Sequence, residues 1–146
     1  MNTNPTGSTI CLVSCVGQKA ERRCRAEDLY LSDWFVKARS YAEAAGYRWF
    51  ILSAQYGLVA PDCEIDPYEM TLNNMPIIER REWAARVCGQ LVNAVPDMTR
   101  AVFLAGAKYR EFLVDPLIQR NVEVSIPMEG LRIGEQLSWF NQNTQA

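Results

Sequence analysis

The stretch Thr9–Cys15, "TICLVSC", indicates the fold class, because it is short, apolar and β-branched, as buried strands are. Two later segments, Arg48–Ser53 and Arg100–Ala105, have the same character. A further segment, Val122–Ile126, alternates between apolar and polar residues, which is typical of a strand nearer a sheet edge. We therefore predict four strands, separated by intervals that are long enough to hold helices.

Apolar residues at helical spacing fill these intervals. The predicted helices cover Asp33–Ala45, Pro76–Val95, Ala107–Arg120 and a last stretch that contains Ile133, Leu137 and Phe140. Ser32 is the expected N-cap of the first helix, and Gly46 is its expected stop. The pair Asp115-Pro116 predicts that the third helix is broken into two pieces.

Alternating strands and helices favour an α/β fold with a mainly parallel sheet. We expect residues 1–146 to form a single three-layer domain with a four-stranded, mainly parallel sheet and right-handed crossover helices. The polar ends of the chain, residues 1–8 and 142–146, are predicted to be flexible.

Composition excludes several classes of protein. The net charge is -2, so the chain lacks the global positive field of strong nonspecific nucleic-acid binders. No apolar run approaches the roughly 18 residues of a membrane span, and the N-terminus lacks the pattern of a signal peptide, which favours a cytoplasmic location without membrane contact. The sequence leaves the oligomeric state open.

Cysteine and histidine usage narrows the chemistry. The five cysteines lack the paired short spacings of a disulfide framework or a zinc site, and we expect them to be reduced. The chain contains no histidine, which excludes Ser-His and Cys-His nucleophilic sites and HExxH metal sites. A catalyst in this chain would use carboxylates, amides, hydroxyls, thiols or lysine, and we predict no metal and no cofactor.

The polar and glycine-rich segments follow the predicted strands. They are Ser14–Lys19, Ile51–Leu72, Ala105–Tyr109 and Pro127–Gly134. In parallel α/β sheets, ligands bind beyond the carboxyl ends of the strands. We therefore expect these four segments to line one pocket.

Three carboxylates in these segments are the candidate catalytic groups. Asp62 and Asp66 lie in a loop stiffened by prolines, and Glu129 lies in a loop bounded by proline and glycine. A carboxylate can orient water and stabilise a cationic transition state at a sugar. The alternative for the two aspartates is a solvated acidic loop.

Further residues are candidates for substrate contact, each with a structural alternative. The candidates for binding substrate are Ser14, Gln18, Lys19, Tyr30, Ser53, Tyr56, Tyr68, Asn73, Gly106 and Tyr109. Tyr68 suits base stacking or closure of the core, and Asn73 suits base recognition or capping of the helix that opens at Pro76. Arg22, Arg23 and Arg25 suit DNA phosphate contacts or a solvated face.

The segments "SCVGQK", "DLYLSDWF", "LSAQYGLVAPDCEIDPY" and "PMEGLRIG" together resemble small prokaryotic and phage domains related to the YaaA peroxide-stress family. The matching core is Ser53, Tyr56, Gly57, Leu58, Pro61, Ile65, Pro67 and Tyr68. Longer YaaA proteins have an acid where this chain has Cys63, so the role of Asp62 does not transfer directly. The resemblance implies DNA protection or DNA binding, and its small members resemble phage-defence DNA glycosylases.

Three functions fit these observations. The first is a metal-free, carboxylate-assisted N-glycosidase that removes a nucleobase, modified or not, from DNA or a related nucleotide. The second is a noncatalytic DNA- or nucleotide-binding module in stress response or defence. The third is an enzyme that acts on free nucleotide metabolites, which suits the acidic composition better.

Overall fold

The computed structural model of the protein describes residues 9–15 and 17–144. The expected flexibility of residues 1–8, 145 and 146 concerns positions outside this range, whereas residues 142 and 143 belong to the last helix. The strands are β1 (Thr9–Ser14), β2 (Cys24–Arg25), β3 (Arg48–Ser53), β4 (Gly57–Val59), β5 (Glu64–Ile65), β6 (Arg100–Leu104) and β7 (Glu123–Ser125). The helices are α1 (Ala26–Leu29), α2 (Asp33–Ala44), α3 (Ile77–Ala94), α4 (Ala107–Arg110), α5 (Val114–Gln119) and α6 (Ile133–Asn143), with a 3₁₀ turn at Leu72–Asn74.

The main sheet has five strands in the order β4-β3-β1-β6-β7. The pairings β3-β1, β1-β6 and β6-β7 are parallel, and β4 pairs antiparallel with β3. All six residues of β1 are buried, since this strand lies at the centre of the sheet. The mainly parallel α/β fold predicted from the sequence is confirmed.

The predicted count of four strands is wrong, because β4 adds a fifth at the edge. This strand has three residues, which is too short to produce a pattern in sequence. It turns back on β3 through a tight turn that ends at Gly57, whose φ of 78° lies in the left-handed region that glycine tolerates.

The helices lie close to their predicted positions. The Ser32 side chain accepts a hydrogen bond of 3.2 Å from the Phe35 N–H, as an N-cap does. The break between α4 and α5 precedes the predicted Asp115-Pro116 pair, because Pro116 lies in the first turn of α5, where its missing N–H costs nothing.

The direction and handedness of the crossover connections determine which face of the sheet each helix covers. The crossover from β1 to β3 and the crossover from β3 to β6 run in opposite directions across the sheet. If both are right-handed, as such connections almost always are, α2 and α3 cover opposite faces, which is the expected three-layer arrangement. In agreement, α2 packs against β1, β3 and α6, whereas α3 packs against β4.

A small ladder holds the acidic segment away from the main sheet. Strands β2 and β5 pair antiparallel, with Arg25 opposite Glu64. The N–H groups of Ala26 and Glu27 donate to the carbonyls of Cys63 and Pro61, at 2.8 and 2.9 Å. The loop that contains Asp62 is therefore fastened to the start of α1.

Candidate functional site

The carboxyl ends of β1 and β6 form the switch point of the sheet. From β1 the chain crosses towards β3, and from β6 it crosses the other way towards β7. Connections that diverge from two neighbouring parallel strands leave a crevice between them, where ligands bind in open α/β sheets. A cavity of about 420 Å³ lies at this position, and we call it the switch-point cavity.

Three segments of the chain supply its walls. The lining residues are Ser14, Cys15, Gly17 and Lys19 after β1, then Glu69, Met70, Thr71 and Asn73, and finally Gly106, Ala107, Lys108 and Tyr109 after β6. The cavity combines two ammonium groups, one carboxylate, one carboxamide and two aliphatic hydroxyls. This set suits a polar ligand that carries negative charge.

Backbone hydrogen bonds fix Lys19 at the rim. The Leu31 N–H donates to the Gln18 carbonyl and the Ala20 N–H donates to the Leu29 carbonyl, each at 2.8 Å. The Lys19 ammonium lies 4.6 Å from the centroid of the Tyr68 ring. This cation–π contact leaves the face of Tyr68 covered, so the base-stacking role predicted for that ring would require Lys19 to move.

Tyr109 joins the segments around the cavity. Its hydroxyl accepts hydrogen bonds from the Cys15 thiol at 3.4 Å and from the Leu72 N–H at 3.3 Å. It also lies 3.5 Å from the Thr71 hydroxyl. Burial, with the neighbouring Cys15, raises the pKa of Tyr109 to about 12, so the hydroxyl stays neutral at physiological pH.

Tyr30, Ser53 and Tyr68 form a buried hydroxyl chain behind the cavity. The two tyrosine hydroxyls share a hydrogen bond of 2.7 Å, and the Ser53 hydroxyl donates to Tyr68 at 2.9 Å. Burial raises the pKa of both tyrosines well above the usual value. These residues support the site from the core, and in this structure Tyr68 closes the core, the second of its two predicted roles.

Glu129 lines a separate, smaller cavity of about 200 Å³, next to the first. Arg110, Trp34 and Gln136 also line it, and the two cavities share Gly106 and Ala107. Parts of the four predicted loops therefore lie at the same rim of the sheet. They form two neighbouring cavities and not one pocket.

Asp62 and Asp66 are exposed and line neither compartment. Asp66 pairs with Arg23 at 3.2 Å, and the backbone carbonyl of Asp66 accepts a hydrogen bond from the Tyr56 hydroxyl. Gln18 is exposed and contributes its carbonyl to the rim. The structure supports the alternative interpretation of the two aspartates, a solvated acidic loop.

Two of the three arginines predicted to contact DNA phosphate, Arg23 and Arg25, form ion pairs with acidic side chains. Arg23 lies 3.8 Å from Glu64 as well as 3.2 Å from Asp66, and Arg25 pairs with Glu27 at 2.8 Å. Arg22 is exposed. The capping role considered for Asn73 is not observed, since Thr71 caps the 3₁₀ turn and no side chain caps α3.

Sequence reasoning missed the cavity residues Glu69, Met70, Thr71 and Lys108. Glu69 follows directly after the Pro67-Tyr68 pair, and this position next to a candidate binding residue could have indicated it. Lys108 lies within a segment that the strand-end rule selected, although the lysine itself was not chosen.

Comparison with known proteins agrees with this architecture. The model of a family described as "Family of unknown function (DUF6884)" matches residues 10–142. The chain belongs to this family. It is 28% identical over 142 residues to the uncharacterized protein YfjM of Bacillus subtilis (strain 168), and the match covers 91% of this chain and 93% of YfjM.

A solved structure shares the fold of this DUF6884 protein. The crystal structure of AF0587, a protein of unknown function, matches with a TM-score of 0.52 and 16% identity. The match covers 96% of this chain and 45% of AF0587, so this chain spans less than half of that protein. At this identity the likeness concerns the fold.

The described residues contain neither a helix suited to span a membrane nor a cluster of side chains suited to bind a metal ion. None of their helices has both the length and the apolar character that a membrane crossing requires. In residues 9–15 and 17–144, no three Cys, Asp or Glu side chains gather closely enough to hold a metal ion.

Proposed function

We propose that the protein is a hydrolytic N-glycosidase that acts on a nucleotide unit, either free or extruded from DNA. The observation that carries the proposal is the switch-point cavity, which places a carboxylate, Glu69, in one space with the ammonium groups of Lys19 and Lys108. Ammonium groups bind phosphate, and a carboxylate next to a sugar stabilises the oxocarbenium-like transition state.

Each polar group of the cavity has a role in this reaction. Lys19 and Lys108 bind the phosphate, while Ser14, Thr71 and Asn73 offer hydrogen bonds to the sugar. Glu69 orients a water molecule and accepts its proton as the C1′–N bond breaks. The water oxygen adds to C1′, and the electrons of the broken C1′–N bond go to the base. The base takes up a proton from solvent, and Glu69 returns the water proton to solvent.

The resemblance to YaaA-related domains supports a nucleic-acid or nucleotide substrate and a role in stress response or defence. The ion pairs of Arg23 and Arg25 and the net charge of -2 favour a single nucleotide unit over an extended DNA contact surface. A cavity of about 420 Å³ also lies within the range of small-ligand sites, roughly 300–1,000 Å³.

Base release tests this proposal directly. The protein is incubated with nucleoside 5′-monophosphates and with DNAs of differing base modification, and released bases are measured by mass spectrometry. We expect Glu69→Gln to remain folded and to lose activity on the order of 100-fold or more. Asp62→Asn is the matched control, because Asp62 is an exposed acid outside the cavity, and it should retain activity.

Two results would contradict the proposal. One is a folded Glu69→Gln variant with full activity. The other is a nucleotide that binds in the cavity, with affinity reduced by Lys19→Gln or Lys108→Gln, but releases no base under any condition. That second result would support a noncatalytic nucleotide-binding module.

A further inference from the structure

The smaller cavity lies where the base of such a substrate would extend. It shares Gly106 and Ala107 with the switch-point cavity, so the two cavities are neighbours at the start of α4. Gly106 is exposed, and a Cβ added to it would meet nothing within 4 Å. A side chain at position 106 would therefore extend into open space beside the two cavities.

Aromatic and aliphatic side chains contribute to the walls of the smaller cavity, together with polar groups. The apolar contributors are Phe103, Ile126, Met128 and Trp34. An engineered apolar cavity of about 150 Å³ holds benzene, so a cavity of about 200 Å³ has room for a heterocyclic ring.

Trp34 is held rigidly in this wall. Its indole N–H donates to the Gln136 side-chain carbonyl at 2.8 Å, and the Gln136 amide donates to the Leu131 carbonyl at 2.9 Å. The Trp34 ring also packs edge-to-face against Phe140, with 5.5 Å between centroids. Both polar atoms of the Gln136 side chain are therefore hydrogen-bonded within the protein. The charged side chains in the cavity wall are Arg110 and Glu129.

Arg110 carries an unused donor. Its Nε atom is buried and has no hydrogen-bond partner in the described part of the chain. Because this atom is fully buried, it does not itself reach a ligand. Arg110 contacts the cavity through the rest of its side chain, and a guanidinium group offers only hydrogen-bond donors. Glu129, in the same cavity, supplies an acceptor for ligand N–H groups.

We infer that the smaller cavity binds the nucleobase and selects bases that carry a lactam, a carbonyl next to a ring N–H. Arg110 donates to the carbonyl oxygen, and Glu129 accepts from the N–H. Uracil and hypoxanthine present this edge. Cytosine and adenine present an amino group and an unprotonated ring nitrogen, which places two acceptors, that nitrogen and the Glu129 carboxylate, against each other.

This assignment rests on the proposed function for the position of the sugar phosphate, but base binding tests it without any turnover. 1-Methyluracil, 9-methylhypoxanthine, 1-methylcytosine and 9-methyladenine, in which a methyl group replaces the sugar, are titrated into the full chain by isothermal calorimetry. We expect the two lactam bases to bind at least about tenfold more tightly than the other two, because a site built for a hydrogen-bonding edge rejects analogues that leave it unpaired. Comparison of 1-methyluracil with 9-methylhypoxanthine shows whether the cavity prefers one ring or two.

Variants locate the binding. Arg110→Gln and Glu129→Ala should each weaken lactam-base binding about tenfold or more, whereas Arg120→Gln and Glu123→Ala should not, because those exposed residues lie outside this cavity. Circular dichroism and thermal melts confirm that each variant is folded.

Equal affinity for all four bases, absence of base binding, or lactam binding that survives both Arg110→Gln and Glu129→Ala would overturn the inference. These outcomes are distinct from failure of the proposed reaction. If selective base binding is present but no nucleotide is hydrolysed, the base site stands and the glycosidase proposal fails. If bases are released while the four bases bind equally, the glycosidase proposal stands and the inferred selectivity of the base site fails.

Discussion

At the scale of the residue, Gly57 stabilises the turn into the edge strand β4. Gly57 has a φ of 78°, and a Cβ at this position would collide with the side-chain oxygen of Gln90. We predict that Gly57→Ala lowers the free energy of unfolding by about 1–3 kcal/mol, through left-handed strain and the collision together. Urea unfolding measures this change.

Gly89→Ala is the matched control for that substitution. Gly89 lies inside α3, and a Cβ there would meet nothing within 4 Å. Replacing a helical glycine with alanine should stabilise the protein by about 0.5–1 kcal/mol. An equal loss of stability in both variants would contradict the conformational argument for Gly57.

Tyr109 gives the protein a predictable response to alkaline pH. Its hydroxyl ionises near pH 10 in the unfolded chain, while burial raises the pKa to about 12 in the folded protein. Between these values the folded state binds more protons than the unfolded state, so the free energy of unfolding falls as pH rises. Urea unfolding at pH 8 and at pH 11 should show this fall.

Tyr109→Phe tests the origin of that fall. The variant has no ionisable group at this position, so its stability should decline less between pH 8 and pH 11. It should also be less stable at pH 8, because the Leu72 N–H loses its acceptor. A decline as steep as in the unmodified protein would assign the effect to other groups whose pKa values burial raises, among them Tyr30, Tyr68 and the thiol of Cys11, whose pKa rises to about 12.

At the scale of elements, the sequence predicted the long helices, whose apolar pattern repeats, and missed the short strand β4. Apolar spacing defined α2 and α3 to within about one residue, since a helix of 12 or 18 residues repeats its buried face several times. Strand β4 has three residues and shows no such repetition. Its place is set by α3, which packs against it.

Gln90 of α3 makes this dependence testable. Its side-chain oxygen accepts a hydrogen bond of 2.8 Å from the Leu58 N–H of β4. We predict that Gln90→Leu lowers the free energy of unfolding by about 1–3 kcal/mol, because a partly buried N–H loses its partner. Gln90→Glu keeps an acceptor and should be affected less, and hydrogen exchange at Leu58 should separate the two variants. Equal exchange rates would contradict this role for Gln90.

At the scale of the whole molecule, strand order decides which loops meet. The strand-end rule selected a rim of the sheet that contains a cavity, and Ser14, Lys19, Asn73, Gly106 and Tyr109 line it. Sequence does not reveal that β1 lies between β3 and β6, which brings Ser14, Cys15, Gly17 and Lys19 into one cavity with residues 106–109. Nor does it reveal that the β2-β5 ladder holds Asp62 and Asp66 outside, while Glu69 lines the cavity.

The distribution of charge over the molecule leads to the last prediction. Arg23 and Arg25 lie in ion pairs with acids, whereas Lys19 and Lys108 line the switch-point cavity. If the protein binds single-stranded DNA, each phosphate contact contributes about 0.7 to the slope of log affinity against log salt. We therefore expect a shallow slope of about 1.4 from two contacts, measured by fluorescence anisotropy at several salt concentrations.

Paired variants test which cations carry that slope. Lys19→Gln combined with Lys108→Gln should abolish most of the salt dependence, while Arg22→Gln combined with Arg23→Gln should leave it nearly unchanged. The two pairs remove the same charge, so a nonspecific effect of net charge would alter both slopes equally. A slope that falls only when the arginines are replaced would place the phosphate path over the β2-β5 ladder, as the sequence predicted, and away from the cavity.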